Sequence, residues 1–308
     1  MKRILFTAIF ALCGILAPAQ VTESIDSGAP ALGFAVISPN PAPAAMGYSG
    51  LASTRHCEWV NRGNVAAAAF SEGRLSAGAS YSSWAPSEGS VLNAGTAFKF
   101  GGKLSVSLDF GLQKDKPYTE YDATGNTLGE FTPGNMQASL GFAYAFGNDS
   151  AGAGIHYLSS SIASGSKQTA ICADVAGFAK FDSFNLGAGM KNIGSKVKDS
   201  AGNEFSLPSY VFVAGEYRYD IAENSRLKAD ADIDYYLSAG FSAAVGAELS
   251  FKEMLYARAG YHLGNDALPS FTSLGIGVKL AGVSLDAAYI LSSGIIGGTF
   301  SAALGICF

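Results

Sequence analysis

The chain has 308 residues, a formal net charge of −5 and only 15% charged residues, against 48% hydrophobic residues. A soluble domain usually carries about a quarter charged residues, and nucleic-acid binding requires clustered Lys and Arg, so the composition argues against both classes. Beyond residue 19 the chain has three cysteines, Cys57, Cys172 and Cys307. An odd number cannot all pair in disulfides, and their spacing fits no zinc motif.

The N-terminus predicts a cleaved signal peptide over residues 1–19. Lys2 and Arg3 form a positive region, residues 4–16 are uncharged and mostly apolar, and Ala17-Pro18-Ala19 provides the small residues of a cleavage site. The apolar run is shorter than the roughly 20 residues of a membrane-spanning helix. We therefore expect an exported protein that is cleaved near Ala19.

Residues 20–72 are rich in proline and show little alternation of polar and apolar residues. Pro30, Pro39, Pro41 and Pro43 fall here, and proline is excluded from central strands because it lacks a backbone N–H. We interpret residues 20–72 as a plug or hatch segment folded into the mouth or lumen of the domain that follows. An extended periplasmic tail is the alternative.

Residues 73–308 alternate between apolar and small or polar residues with a period of two, which predicts β-strands. Counting the segments gives about fourteen strands of roughly ten residues, the length that a tilted strand needs to cross a bilayer. The predicted strands are 73–82, 91–100, 103–112, 135–146, 150–160, 168–180, 184–191, 210–219, 226–237, 240–250, 255–263, 271–280, 283–291 and 298–308.

The pattern favours a closed barrel in lipid over a soluble β-sandwich. The face opposite the apolar one is dominated by Gly, Ala and Ser, as in a barrel lumen. Short connections such as 101–102 alternate with long ones such as 113–134, and the chain ends in a strand that finishes on Phe308. The sequence therefore predicts an all-β protein, a transmembrane antiparallel β-barrel of the cell outer membrane.

Charged residues on the lumen side of the later strands predict a polar network. Its most common role is to fasten the barrel wall to the plug, and ligand or ion selectivity is the alternative. The predicted members are Glu216, Arg218, Lys228, Asp230, Asp232, Asp234, Glu248, Arg258, Lys279 and Asp286.

We predict no catalytic, cofactor or metal site. The sequence contains no His-Glu-x-x-His motif, no Gly-x-Ser-x-Gly motif and no phosphate-binding glycine loop. Asp230, Asp232 and Asp234 alternate along one strand and so lie nearly 7 Å apart, whereas Ca²⁺ ligands converge at about 2.4 Å. By parity His156 and His262 point into the lumen, which leaves no Ser-His pair on the lipid face for a phospholipase.

Several short motifs remain after the strand analysis. They are Ala45-Met46-Gly47-Tyr48-Ser49-Gly50, Lys191-Asn192-Ile193-Gly194, Leu207-Pro208, Arg258-Ala259-Gly260-Tyr261 and Gly275-Ile276-Gly277-Val278-Lys279. These motifs resemble the PorV/PorQ family of outer-membrane barrels, which are related in fold to the long-chain fatty-acid transporter FadL. The resemblance implies a fourteen-stranded barrel with an N-terminal hatch. It also implies a link to the type IX secretion system of Bacteroidetes.

Two functions follow as hypotheses. In the first, the barrel is a secretion-system component that binds secreted cargo with a C-terminal signal domain, or attachment-complex proteins. Loop 113–134 is then the candidate surface, with Tyr118, Tyr121 and Phe131. In the second, it is a FadL-like channel for small hydrophobic molecules, which requires an apolar pocket near the plug and a bend or gap in the wall. The lumen predicted by parity is polar and small, which favours the first hypothesis.

Overall fold

The computed structural model of the chain describes residues 30–198, 202–291 and 296–308. The predicted signal peptide, with its cleavage near Ala19, lies outside the described residues.

Fourteen strands of the described chain form one closed antiparallel barrel, in which each strand pairs with the barrel strands before and after it in sequence and the first strand pairs with the last. The predicted strands are confirmed, with ends that differ by a few residues. The barrel strands are β1 (Leu75–Trp84), β2 (Gly89–Phe100), β3 (Leu104–Lys114), β6 (Gly134–Phe146), β7 (Asp149–Ala163), β8 (Ser166–Lys180), β9 (Phe184–Gly194), β12 (Tyr210–Ala222), β13 (Ser225–Tyr236), β14 (Gly240–Phe251), β15 (Leu255–Leu263), β16 (Phe271–Leu280), β17 (Val283–Leu291) and β18 (Phe300–Cys307).

Two small hairpins form separate two-stranded sheets that are not hydrogen-bonded into the barrel. One consists of β4 (Tyr118–Tyr121) and β5 (Thr127–Phe131), and the other of β10 (Val197–Lys198) and β11 (Glu204–Phe205).

The two ends of the barrel differ in their connections. One end, which we call the turn end, carries the tight turns 101–103, 147–148, 181–183, 223–224, 252–254 and 281–282, together with Phe308. The other, the loop end, carries the longer connections 115–133, 195–209 and 264–270. Short turns face the periplasm in barrels of the outer membrane, so the loop end faces outside. The alternation is imperfect, because β7 and β8 extend into a two-residue turn at 164–165.

The outer wall carries the large apolar side chains. Along β13, exposed Leu227, Ile233 and Tyr235 alternate with buried lumen residues, and the same alternation runs through the neighbouring strands. Such a surface is stable in hydrocarbon, and closure leaves no unpaired backbone edge in lipid. The barrel is therefore an outer-membrane barrel.

The described part of the N-terminal region, residues 30–72, packs against the inner face of the wall, and we call it the lumenal segment. Its short helices are 3-10 at Gly33–Val36, α at Pro41–Ala44, and 3-10 at Cys57–Trp59 and Val65–Phe70; a further 3-10 turn, Ala85–Ser87, joins β1 to β2. Asn40 and Asn64 cap two of these helices, each accepting the amide two residues ahead at 3.0 Å. In the described residues, no helix has the length and apolarity to cross a membrane.

Glycines of the wall allow the lumenal segment to approach closely. Gly246 and Gly260 are paired across β14 and β15, and a methyl group at either position would collide with Met46. Gly47 itself has a φ of 70°, and a methyl group at this position would collide with the backbone of Tyr261. The Ala-Met-Gly element is thus one of the places where the lumenal segment touches the wall backbone, which the wall glycines permit.

We expect the folded barrel to resist SDS in the cold. The unboiled protein should migrate differently from the boiled protein on a gel, because the closed backbone ladder unfolds only on heating. A single unchanged band in both samples would contradict the closed barrel.

We expect Gly260→Ala to destabilise the barrel by about 1–3 kcal/mol, the usual cost of overpacking. The measurement is the temperature at which the unboiled gel species disappears. Gly215→Ala is the matched control, because a methyl group there meets only Leu186 at 3.9 Å, and this variant should keep the wild-type temperature. Equal temperatures for all three proteins would show that the lumenal segment is not held against Gly260.

Candidate functional site

Arg258 stands at the centre of an ion-pair cluster between the wall and the lumenal segment. Its guanidinium donates to Glu248 at 2.7 Å and to Asp286 at 2.6 Å, and Arg55 of the lumenal segment donates to the same Glu248 carboxylate. Burial alone lowers the pKa of Arg55, but the adjacent Glu248 raises that pKa above its usual range. The cluster joins three strands to the lumenal segment through charges that have little water around them.

A second group of charges extends along β13. The Lys228 ammonium lies 3.0 Å from Asp230 and 3.4 Å from Glu216. Asp232 accepts hydrogen bonds from the backbone amides of Gly50 at 2.8 Å and Leu51 at 3.0 Å. This aspartate therefore serves as a capping acceptor for the lumenal segment.

The structure places all ten predicted polar residues on the lumen side of β12 to β17. Arg218 and Lys279 lie at the turn end, where Arg218 binds Glu216 and Lys279 binds Glu72 at 2.9 Å. Asp232 and Asp234 take part in no ion pair with the described residues. The ten residues thus form several linked groups, all directed toward the lumenal segment.

A further charged cluster, on the opposite wall, was missed by the sequence analysis. The Asp174 carboxylate accepts hydrogen bonds from the Lys191 ammonium at 2.7 Å and from the Asn192 backbone amide at 2.7 Å. The Nε2 atom of His156 lies 3.0 Å from the same carboxylate. Lys191 also donates to the carbonyl of Gly63 at 2.6 Å. His156, Asp174 and Lys191 come from three different strands, and inward parity directs each of them into the lumen without showing that they meet.

The lumen is less polar than parity predicts along parts of β7, β8 and β12. Buried inward side chains here include Leu158, Phe178 and Phe212. They pack against the lumenal segment at Leu32 and Val65. The lumen therefore has an apolar side around these strands and a polar side around β13 to β17.

The wall is irregular beside the apolar side. The pairing of β8 with β9 shifts register between Ala173 and Val175, and Asn192 has a φ of 55°. Beyond Lys191, β9 has no partner in β12, because that pairing begins at Tyr210. The resulting notch is covered by loop 195–209, whose Val197 and Leu207 pack against Leu158 and Leu32.

Residues 30–39 cross the loop end of the lumen, and we call them the strap. At one side the Ala31 amide donates a hydrogen bond to the backbone carbonyl of Ser206 at 2.9 Å. At the other side Ile37 packs with Trp84, Phe271 and Ile290 near the loop end. The strap therefore closes the mouth by apolar contacts on both sides.

The predicted loop residues lie in the β4–β5 hairpin outside the barrel. The rings of Tyr118 and Phe131 are in edge contact with centroids 5.9 Å apart, whereas Tyr121 is 63% exposed. Hydrogen bonds from Thr124 and Asn126 lower the pKa of Asp122 and fix the hairpin turn. The hairpin rests on the β7–β8 tip through the Tyr118 hydroxyl, which donates to Ile162 at 2.8 Å.

The cysteines lie in two places. Cys57 and Cys307 line one cavity at the turn end, whereas Cys172 is buried in the apolar cluster beside the notch. Burial raises the pKa of the Cys57 thiol to about 12. Among the described residues, no group of His, Cys, Asp and Glu side chains is arranged to hold a metal ion.

We expect Arg258→Leu to destabilise the barrel by about 3–5 kcal/mol, because it leaves the buried Asp286 carboxylate without its arginine and the buried Glu248 carboxylate with Arg55 alone. Arg226→Leu is the control: Arg226 also pairs with two carboxylates, those of Asp220 and Glu253, but its side chain is 41% exposed and both carboxylates are exposed, so this change should cost at most about 1 kcal/mol. Thermal loss of the unboiled gel species measures both. Similar losses for the two variants would contradict the structural importance of the buried cluster.

Comparison with known proteins identifies the fold through solved structures. No protein-family model matches the chain, and none of the curated proteins is significantly similar to it. A Pseudomonas aeruginosa FadL homologue is 12% identical with a TM-score of 0.55, over 89% of this chain and 99% of that chain. The Ralstonia pickettii toluene transporter TbuX is 12% identical with a TM-score of 0.59, over 89% and 100%. The Pseudomonas putida toluene transporter TodX is 10% identical with a TM-score of 0.60, over 89% and 99%. At these identities the likeness is one of fold: a closed fourteen-stranded barrel of the kind found in FadL-like outer-membrane proteins.

Proposed function

We propose that this barrel binds small apolar molecules at its loop end and passes them across the outer membrane. The observation that carries the proposal is the apolar side of the lumen, which lies directly beside the notch between β9 and β12. Leu158, Cys172 and Leu207 form this side. A wholly polar lumen would offer an apolar molecule no favourable place, since transfer from water is driven by burial of apolar surface.

The apolar side is occupied by the strap in the closed state. Leu32 inserts among the wall residues and is 6% exposed, with a backbone φ of 55° that costs a leucine free energy. The largest of the three cavities inside the barrel that the structure describes holds 60 Å³, well below the roughly 150 Å³ of a cavity that accommodates benzene. Binding of an aromatic molecule therefore requires Leu32 and its neighbours to move aside.

The fold supports the same proposal. Two of the solved structures that share this fold are named toluene transporters, so the architecture is compatible with the passage of a small aromatic molecule. This chain has both features that such a role requires, an apolar site beside the lumenal segment and an irregular wall.

The first test is toluene binding by the purified protein in detergent. We expect toluene to raise the thermal unfolding temperature, because a ligand that binds only the folded state stabilises it. Leu32→Ala should bind more tightly, since it removes the side chain that occupies the site and enlarges the apolar space. Leu128→Ala is the matched control, because Leu128 lies in the exposed hairpin at 66% exposure, and it should behave as wild type.

Uptake of radiolabelled toluene by cells that carry the protein completes the test. Cells with the wild-type barrel should take up toluene faster than cells without it. Absence of both the thermal shift and the faster uptake would contradict the proposal.

The role in type IX secretion remains a second candidate, and one structural feature favours it. The β4–β5 hairpin projects from the loop end and exposes Tyr121 and Leu128, two large side chains without an obvious role in the barrel. We expect the double substitution Tyr121→Ala, Leu128→Ala to reduce co-purification of proteins with a C-terminal signal domain in mild detergent. Leu32→Ala should leave that recovery unchanged, and the reverse pattern would argue against this role.

A further inference from the structure

Three cavities lie in a row along the lumenal segment, from the loop end to the turn end. The first, near the loop end, has a volume of 20 Å³ and is lined by Ser38, Arg62 and Gln137 among others. The second, in the middle, has a volume of 60 Å³ and also reaches Ser38. The third, at the turn end, has a volume of 40 Å³. Arg55 and His56 line both the second and the third.

Neighbouring cavities therefore share lining residues. Ser38 lines both the first and the second, and Arg55 and His56 line both the second and the third. The buried members of the apolar clusters that contain Leu158 and Phe178 do not line the row, whereas Cys57 and Val60 of another buried cluster do.

Two buried polar groups on the row point to water. Gln137 is 2% exposed, and its Oε1 accepts no hydrogen bond from the described residues. Asp230 is 3% exposed; Lys228 is its ion-pair partner at 3.0 Å, yet neither carboxylate oxygen accepts a well-directed hydrogen bond. A buried acceptor without a partner is costly, and ordered water is the usual way in which it is satisfied.

The volumes are sufficient for a file of water. A buried water needs roughly 10–15 Å³ of such space, so the three cavities hold about one, four and three molecules. The charged side chains of the two larger cavities balance, with four basic and four acidic groups. These are Arg55, Lys228, Arg258 and Lys279, and Glu58, Glu72, Asp230 and Asp286. Water is neutral and can form hydrogen bonds to both acidic and basic side chains. An ion of either sign would be repelled by the like charges along the row.

We propose that water permeates the closed barrel through this row of cavities, while the apolar side stays closed by the strap. The smallest cavity of the row, with a volume of 20 Å³, is the one beside Ser38. The row meets the strap at Ile37, Ser38 and Pro39, whereas the proposed toluene site surrounds Leu32.

The test is osmotic water permeability of phosphatidylcholine vesicles that contain the purified barrel, measured by stopped-flow light scattering. Wild-type vesicles should shrink faster than protein-free vesicles. Ser38→Leu should bring the rate to within about twofold of protein-free vesicles, because one leucine side chain fills a cavity with room for roughly one water. Ser83→Leu is the matched control: the same change is made on the exposed outer face of β1, and the rate should stay at the wild-type value.

The shift between cold and boiled samples on a gel shows whether each variant is folded. If Ser38→Leu does not fold, Ser38→Val takes its place with the same expectation. A wild-type rate equal to that of protein-free vesicles overturns the proposal, and so does a folded Ser38 variant with the wild-type rate. Leakage of entrapped carboxyfluorescein from wild-type vesicles would overturn it as well, since it would show an open pore rather than a narrow file.

Discussion

The structure depends on the requirement that every backbone amide in hydrocarbon be hydrogen-bonded within the protein. The pairing of β1 with β18 satisfies this requirement along the seam, from Ser76 opposite Cys307 to Ser83 opposite Phe300. Once the ladder is closed, strand alternation sends large apolar side chains outward and leaves the small and polar ones inside. The small and polar character of many lumen side chains is therefore a consequence of closure.

Small residues of the wall decide how the lumen is filled. Glycines such as Gly246 and Gly260 let the backbone of the lumenal segment lie directly against the strands, and buried charged side chains then hold it in place from two sides. Arg55 forms an ion pair with Glu248 on one wall, and Lys191 donates a hydrogen bond to the carbonyl of Gly63 from the other. Because removal of one partner leaves a buried charge, these contacts resist displacement more strongly than exposed pairs would.

The lumen is divided into two sides with different physical character. On one side Leu158 and Phe212 pack with apolar residues of the lumenal segment, next to the register shift in the wall. On the other side Arg258 and Asp230 line polar cavities. The strap meets both sides, with Leu32 on the apolar side and Ser38 at the first cavity of the row. The proposed passage of apolar molecules and the proposed permeation of water therefore use different parts of the strap.

The sequence by itself determined the strand alternation, the barrel and the inward direction of residues such as Asp232 and Arg258, because a period of two assigns each side chain to a face without knowledge of its neighbours. Only the tertiary structure decided which inward residues meet. Asp174 and Lys191 come together because a bulge in β9 sets both Lys191 and Asn192 opposite Asp174, and parity contains no such information. The apolar side of the lumen also escaped sequence reasoning, since Phe178 and Phe212 become neighbours only when the strands between them close around the lumenal segment.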